Sequence, residues 1–309
     1  MVAPRKIWRV PALLREKLRF ALMKILLFGG SGQLGYELIA RAHDLNFEVV
    51  SPVISEIDIT DLQQVVRLTE AVKPEMVMNC AAYTAVDKAE EEHDLAFKIN
   101  CDGAGNVAEG ARKAGARMIH ISTDYVFDGT HSKPIPEDAA TNPINVYGAS
   151  KLAGEKLVAK TLGDKSLIVR TSSLHGKKGI NFVHTMIKLF GEREKLQVVN
   201  DQFMSPCWAG WLAEVLLDLS RIGASGILHA CCSGVVSWHD FALEILELVG
   251  TRLEKKPVLE PIGAAQYARP AKRPSYSALD CTCLSQLLGR SPMPWQEGLR
   301  AHLRELGYG

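Results

Sequence analysis

The sequence predicts an α/β protein in which a doubly wound parallel sheet is followed by a smaller C-terminal lobe. Short apolar runs, typical of buried strands, alternate with helix-like segments from Lys24 to Arg170. Such alternation places helices on both faces of a parallel sheet. After Arg170 the alternation loosens, as expected of a lobe built from the C-terminal part of the chain.

The first predicted strand, residues 24–28, leads directly into a glycine-rich turn and then a helix-like segment. Glycines at 29, 32 and 35 suit a tight turn, close approach of the backbone to a pyrophosphate, and close helix–strand contact. The free amides at the start of the helix can hold phosphates. We therefore predict a Rossmann-type dinucleotide site that includes Gly29, Ser31, Gly32, Gln33, Leu34 and Gly35.

The end of the second strand leaves the choice of cofactor open. An acidic residue there would bind the ribose of NAD, and a nearby Arg would favour NADP, but the position is occupied by Ser51. We expect NADPH or NADH, with a slight preference for NADPH or dual use. Asp58 and Ile59 are candidates for the adenine edge. Asp58 and Asp61 also suit a turn and a helix N-cap.

The third strand, residues 75–79, is followed by small residues that allow the backbone close to a flat dinucleotide. Ala81, Ala82 and Tyr83 are the candidates there, and Asn100 lies in the next predicted helix. All these motifs lie beyond the carboxyl ends of predicted strands, where such sheets bind ligands. This convergence favours a dinucleotide-dependent enzyme.

Tyr147 and Lys151 are four residues apart, so a helix would place them on one face. A neighbouring cation lowers the pKa of a phenol, and the phenol could then exchange a proton with a substrate oxygen. Thr123, at the end of the preceding strand, could hold the same oxygen. The spacing alone is a weak signal, because many helices carry a packed Tyr and a solvated Lys four residues apart.

Composition excludes several classes of protein. The 309 residues are 47% apolar, enough for a large core in one large or two modest domains. A net charge of +1 argues against nucleic-acid binding, and no apolar run reaches membrane-spanning length. The seven cysteines lack zinc-site spacing, so we expect reduced thiols and a cytoplasmic protein.

We predict three parts of the chain. Residues 1–22 form a basic extension whose only acid is Glu16. This segment suits a transit peptide or a surface-binding helix, but a start codon chosen too far upstream is favoured because Met23 directly precedes the first strand. Residues 23–170 form the NAD(P)-binding domain. Residues 171–309 are mainly a substrate-binding lobe, with some segments returning to the sheet.

Several stretches resemble the extended short-chain dehydrogenase/reductases and, within them, the dTDP-4-dehydrorhamnose reductases. The resemblance runs from Met23 to about the C-terminus. It is carried by the glycine motif together with residues 79–90, 122–129, 145–156, 200–203 and 273–274. It implies hydride transfer from NAD(P)H to the C4 ketone of a dTDP-4-keto-6-deoxy sugar, as in the synthesis of dTDP-L-rhamnose for cell-surface polysaccharide.

The same resemblance implies roles for individual residues. Tyr147 would protonate the forming alkoxide, Thr123 would orient the carbonyl, and Lys151 would hold the nicotinamide ribose, lower the Tyr147 pKa and be supported by Asn100. Arg273 would clamp the diphosphate, because its planar guanidinium matches phosphate oxygens; from the residue alone, an exposed loop charge is an equal alternative. The implied substrate residues are Thr84, Val86, Asp124, Tyr125, Ser173, Asn181, Gln202 and Arg273.

Two departures from the family pattern affect these expectations. Ser173 stands where the pattern has a Trp that lines the sugar pocket, which puts the identity of the sugar in doubt. Some relatives dimerise through a metal held by carboxylates. Glu37 matches one of these carboxylates, but Gly210 stands at the position of another, so we expect no metal. A homodimer remains an open expectation.

Two alternatives to this reductase stay open. One is a sister enzyme on the same scaffold that reduces or epimerises another nucleotide sugar. The other is a non-catalytic partner protein, because the regulatory subunit of methionine adenosyltransferase resembles this family and binds a dinucleotide. The residues at 84–90 and the lack of a long extra interaction segment favour catalysis.

Overall fold

A parallel sheet of six strands forms the centre of the molecule. The computed structural model describes residues 22–308, so the predicted extension, apart from Leu22, lies outside the described residues. The strands of the sheet are β1 Met23–Phe28, β2 Phe47–Val50, β3 Met76–Asn79, β4 Arg117–Thr123, β5 Ser166–Thr171 and β10 Gly226–His229. The strand order is β2-β1-β3-β4-β5-β10, and every pairing is parallel. This confirms the predicted doubly wound sheet.

Helices cover both faces of the sheet because its strands are apolar on both sides. Leu26 and Phe28 of β1 pack on the face covered by α2, α5 and α6, whereas Ile25 and Leu27 pack on the face covered by α1 and α8. Residues that alternate along a strand point to opposite faces. These helices are α1 Gln33–Ala42, α2 Leu62–Val72, α5 Ala104–Ala114, α6 Val146–Leu162 and α8 Ala209–Ile222.

Helix starts follow the predicted capping chemistry. Asp61 caps α2 by accepting the backbone N–H groups of Gln63 and Gln64, which confirms the expected N-cap. Between β3 and α5 the chain forms α3 Val86–Ala89, α4 His93–Phe97 and a π-helical turn at Lys98–Gly103. This π-helical turn carries Asn100 towards the end of β3.

In the described part of the C-terminal lobe, residues 171–308, four α-helices occur besides α8, together with three two-stranded pairs. The helices are α7 Phe182–Glu192, α9 Trp238–Val249, α10 Thr282–Leu288 and α11 Trp295–Glu305. The parallel pairs are β7 Lys195–Val199 with β12 Val258–Ile262 and β6 Leu174–His175 with β9 Cys207–Trp208; β8 Phe203–Met204 pairs antiparallel with β11 Val236–Ser237. One apolar core continues from the α1–α8 face of the sheet into this lobe.

All seven cysteines are free thiols. Within residues 22–308, no helix combines the length and the apolar character that crossing a membrane requires.

Candidate active site

The glycine-rich turn fits closely against the neighbouring strand. Gly29 has φ +86°, and a Cβ there would lie 2.5 Å from the backbone nitrogen of Ala81. A Cβ at Gly35 would overlap the carbonyl oxygen of Gly29. The N-cap of α1 is Gly32, which supplies no side-chain cap, so the first amides of the helix stay free for an anion. This backbone cradle fits the pyrophosphate of a dinucleotide.

The residues expected at the adenosine end are held in local hydrogen bonds. Ser51 donates its hydroxyl to the carbonyl oxygen of Leu27 at 3.1 Å. The side chain of Asp58 accepts the backbone N–H of Thr60 at 2.8 Å, which matches the simpler turn interpretation of this acid. Ile59 is buried. Contact of Asp58 and Ile59 with adenine stays a prediction.

Asn100 organises the loop after β3. Its side-chain oxygen accepts the backbone N–H of Tyr83 at 2.8 Å, and its amide nitrogen donates to the Tyr83 carbonyl and to Ser150 Oγ, both at 3.0 Å. These bonds hold the loop that contains Ala82 and Tyr83 against α6. Support of Lys151 by Asn100 stays a prediction.

Asn145 fixes the start of the helix that carries Tyr147 and Lys151. Its side-chain oxygen accepts the Gly148 N–H at 2.7 Å, and its amide donates to the carbonyl of Lys272 at 2.8 Å. The helix start is thereby tied to the C-terminal lobe. The ring of Tyr147 meets the ring of Tyr125 edge-on, with centroids 5.8 Å apart.

The buried ion pair of Glu155 and Arg170 fixes the same helix to the sheet. Arg170 of β5 donates twice to Glu155 of α6, at 2.9 and 2.7 Å, and Ser122 of β4 donates to the same carboxylate at 2.5 Å. Both charged side chains are only 3% exposed. Loss of either partner would leave a buried charge, which is strongly destabilising.

Thr123 ends β4 and lies beside the phenol of Tyr147. The Thr123 hydroxyl donates to Asp124 Oδ1 at 3.0 Å and accepts the backbone N–H of Tyr125 at 3.2 Å. The phenol of Tyr147 lies close enough to this hydroxyl for Thr123 to lower its pKa. The structure thus brings together the predicted Thr123 and Tyr147 at the carboxyl end of β4.

The pKa of Tyr147 lies above its ordinary value, and Lys151 is not among the groups that shift it. The expected lowering of this pKa by Lys151 stays a prediction. Burial raises the pKa of Tyr147 to about 12, the neighbouring Thr123 hydroxyl opposes the rise, and the charge of Asp124 adds to it. Lys151 Nζ donates instead to the carbonyl oxygen of Ile121 at 2.7 Å. Burial lowers the pKa of Lys151 to about 8. Desolvation therefore outweighs the attraction that sequence spacing suggested.

A cavity of about 1050 Å³ opens between the two parts of the molecule. Its lining includes five predicted substrate residues: Thr84, Val86, Tyr125, Gln202 and Arg273. One wall is aromatic, because Phe182 and Trp238 lie there with ring centroids 4.7 Å apart. The cavity volume suits a ligand larger than a simple sugar.

Arg273 is a partly buried group and not an exposed loop charge. Its guanidinium donates to both oxygens of Asp87, each at 2.9 Å, and its side chain is 23% exposed. Hydrogen bonds from Arg273 hold the pKa of Asp87 below its ordinary value. Lys88, Arg269 and Lys272 line the same cavity, so this side of it can attract an anion.

Three predicted substrate residues are not part of the cavity lining. Asp124 is buried beneath hydroxyl groups. Asn181 caps α7 and donates to Gln33 of the glycine turn at 2.9 Å. Ser173 adopts φ +43°, an uncommon left-handed conformation for a residue other than glycine. Their contact with a sugar stays a prediction.

The carboxylate that matched a metal ligand pairs with an arginine. Glu37 is buried and contacts the guanidinium of Arg41, which also lies 3.3 Å from Glu214 and 3.4 Å from Glu305. A Cβ at Gly210 would overlap this guanidinium. Among residues 22–308 no three His, Cys, Asp or Glu side chains are grouped as metal ligands.

Part of the cavity wall could not be predicted from the sequence. Trp238 follows the Ser237 N-cap of α9 and lines the cavity with Phe182. The two aromatic residues are far apart in the chain, and no local pattern connects them. The position of the basic residues Arg269 and Lys272 in the cavity wall likewise depends on how the lobe folds.

Comparison with known proteins agrees with the resemblance seen in the sequence. A dTDP-4-dehydrorhamnose reductase from Aggregatibacter actinomycetemcomitans is 40% identical over 286 residues, which are 90% of this chain and 97% of that relative. The crystal structure of a dTDP-4-dehydrorhamnose reductase from Clostridium acetobutylicum has a TM-score of 0.88 and 42% identity, covering 92% of this chain and 100% of the other. The Bacillus anthracis dTDP-4-dehydrorhamnose reductase, solved in complex with NADP, has a TM-score of 0.87 and 38% identity over 92% and 100% of the two chains.

A family model described as the RmlD substrate binding domain matches residues 23–307. The match spans nearly all of the described residues. The chain therefore belongs to the RmlD substrate binding domain family.

Proposed function

We propose that this protein is an oxidoreductase that reduces the C4 ketone of a dTDP-4-keto-6-deoxy sugar with NAD(P)H. One observation carries the proposal. Thr123, at the end of β4, lies beside Tyr147, and Tyr147 lies at the start of the helix that also contains Lys151. The relatives named for dTDP-4-dehydrorhamnose reduction support the same substrate class.

The chain's own residues would hold the cofactor through backbone and small side chains. The turn from Gly29 to Gly35 would take the pyrophosphate, and Ala81, Ala82 and Tyr83 would lie along the dinucleotide. NAD(P)H, when bound, supplies the hydride that reduces the ketone carbon. Ser51, and not a carboxylate, directly follows β2, so no negative charge at this position would repel the 2′-phosphate of NADPH. This favours NADPH or dual use.

Tyr147 would supply the proton. Its pKa, raised to about 12 by burial, keeps the phenol protonated at neutral pH. A reduced ketone oxygen gains negative charge, and a donor placed there stabilises the transition state more than the ground state. Lys151 would contribute a positive charge behind the phenol and would bind the nicotinamide ribose.

The cavity would hold the nucleotide part of the substrate. Its basic side, with Arg273, Arg269 and Lys272, suits the diphosphate, and the wall of Phe182 and Trp238 suits a flat base. For the diphosphate to take both donors of Arg273, it would have to displace Asp87 from the bidentate pair. Arg273 would then exchange one anionic partner for another.

We propose a cytoplasmic location, supported by seven free cysteines. A homodimer is proposed from the family resemblance. It would form without a metal at Glu37, because that carboxylate is buried and paired with Arg41. Light scattering with and without a chelator tests this, and dissociation by the chelator would contradict it.

The direct test of the function follows the absorbance of NADPH and NADH with dTDP-4-keto-6-deoxy-L-lyxo-hexose and two other keto-sugars. We expect oxidation with at least one keto-sugar. Cofactor binding without turnover on any of them would favour the non-catalytic partner protein. Turnover only on another keto-sugar would favour a sister reductase and would point to Ser173 as a cause.

A further inference from the structure

Two buried thiols that the proposed reduction does not use lie together where the sheet meets the C-terminal lobe. Cys231 lies just after β10, and Cys281 directly precedes α10, which packs against β10. The two sulfur atoms are 3.5 Å apart, although the residues are 50 positions apart in the chain. An S–S bond is about 2 Å long, so a side-chain movement of about 1.5 Å would join them.

Backbone hydrogen bonds hold both cysteines in place. The residue before Cys231 donates its N–H to the carbonyl oxygen of Arg170 in β5 at 2.9 Å, and the residue before Cys281 donates its N–H to the carbonyl oxygen of Ile135 at 2.8 Å. The N–H of Cys231 itself donates to the Cys281 sulfur at 3.4 Å. The folded chain therefore keeps the two thiols facing each other.

Cys281 is the most exposed of four buried thiols in this region. Cys207 and Cys232 also lie close enough to Cys231 to affect it. The side chain of Cys281 is 9% exposed, whereas the other three are exposed by 1% or less. A small oxidant that arrives from solvent therefore meets Cys281 first. The thiol of Cys231 lies directly behind it, as a resolving cysteine would.

We propose that Cys231 and Cys281 form a reversible disulfide, under oxidation by a peroxide, that links the C-terminal lobe to the sheet. Hydrogen peroxide would transfer one oxygen atom to the Cys281 thiol, giving a sulfenic acid and one water. The Cys231 sulfur would then attack the sulfenic sulfur, the S–O bond would break, and the hydroxyl would leave with the Cys231 proton as a second water. Two thiols lose two electrons and one peroxide gains them. A dithiol reductant reverses the bond.

The surroundings of Cys231 keep the pair reduced until an oxidant is present for some time. The hydrogen bond with Cys281 and burial raise the pKa of the Cys231 thiol. The thiolate is the form that attacks, so its small population at neutral pH makes the second step slow. The thiol pair is thus the resting state, and the disulfide is a response to peroxide.

The disulfide would restrain a large part of the lobe. The chain between the two cysteines contains α9, β12 and Arg273. A cross-link that closes such a loop restricts the unfolded chain and so favours the folded one. The oxidised protein should therefore unfold at a higher urea concentration than the reduced protein, by roughly 1 M. Dithiothreitol should abolish the difference.

The test treats the full-length protein with hydrogen peroxide, unfolds it in iodoacetamide and maps its tryptic peptides by mass spectrometry with and without dithiothreitol. Wild type should lose two of its seven free thiols and gain one pair of linked peptides that dithiothreitol separates. Trypsin leaves Cys231 with Cys232 and Cys281 with Cys283, so variants assign the partners. Cys231→Ala and Cys281→Ala should each lack the linked pair. Cys232→Ala and Cys283→Ala are the matched controls and should retain it.

Four results would overturn the proposal. The first is loss of thiols in wild type without a linked pair, which would mean oxidation of single cysteines. The second is a linked pair that persists in Cys231→Ala or disappears in Cys232→Ala, because another cysteine would then be the partner. The third is a link between two copies of the chain, seen as a dimer on a non-reducing gel. The fourth is an unchanged urea midpoint after oxidation. None of these results depends on whether the protein reduces a keto-sugar.

Discussion

Replacing Lys151 with Met should stabilise the fold while it removes activity. Lys151 is 2% exposed, and burial lowers its pKa to about 8 from the ordinary 10.5. At neutral pH the side chain is charged in both the folded and the unfolded chain, so folding has to bury the charge. Met has a similar length and no charge, and it packs well in irregular space.

The magnitude follows from the shift of the pKa. One unit corresponds to about 1.4 kcal/mol, so the buried charge of Lys151 costs about 3 kcal/mol at pH 7. The variant also loses the hydrogen bond to the Ile121 carbonyl, worth about 1 kcal/mol. We expect a net gain of about 2 kcal/mol in the free energy of unfolding.

Proton binding determines whether the stability of the fold rises or falls with pH. Between about 8 and 10.5 the unfolded chain keeps the Lys151 proton and the folded chain releases it, so the stability of the wild type rises with pH in this range. The advantage of Lys151→Met is therefore greatest below pH 8 and disappears above 10.5. Urea unfolding at neutral and alkaline pH measures both effects.

Lys156→Met is the matched control, because Lys156 lies on the same helix and is exposed. It should change stability little at any pH. If Lys151→Met were less stable than wild type across the whole pH range, burial of the Lys151 charge would not be a net cost to folding. Such a result would mean that the hydrogen bond to Ile121 outweighs the cost of burying the charge.

Four further changes test other parts of the account. Tyr147→Phe should lower kcat by about 100-fold or more and leave cofactor affinity nearly unchanged; turnover at the wild-type rate would contradict proton donation. Gly35→Ala should weaken cofactor binding measured by calorimetry, because its Cβ overlaps the Gly29 carbonyl, whereas Gly191→Ala has open space and should not. Glu155→Gln should destabilise the fold by about 3 kcal/mol or more in urea unfolding, and a neutral effect would show that Arg170 finds other partners. Ser173→Trp should alter the ratio of kcat/KM among keto-sugars without preventing folding, and an unchanged ratio would remove Ser173 from the sugar pocket.

Local chemistry made much of the site predictable. Gly29, Gly32 and Gly35 follow a buried strand, and the close backbone contacts at Gly29 and Gly35 explain why their spacing predicted a cradle. The helix start at Asn145 followed the rules of N-capping, which depend on three or four consecutive residues. These features depend only on residues that are close together in the sequence, so the sequence alone is enough to predict them.

Features that depend on burial were not predictable in the same way. Spacing predicted that Lys151 lowers the pKa of Tyr147, but the outcome depends on desolvation of both groups and on the carbonyl of Ile121. The wall of Phe182 and Trp238 depends on how α7 and α9 pack in the lobe. The hydrogen bonds of Asp124 join segments far apart in the chain, so the sequence could not show that this carboxyl would be enclosed by hydroxyl groups.

The proposed reduction can be followed with NADPH that carries deuterium on its reactive carbon. After incubation with dTDP-4-keto-6-deoxy-L-lyxo-hexose, we expect deuterium at C4 of the product sugar, and no labelled sugar with Tyr147→Phe in the same time. Label that stays on the cofactor although both ligands bind would rule out hydride transfer to this sugar. Label found at any other carbon of the sugar would contradict reduction at C4.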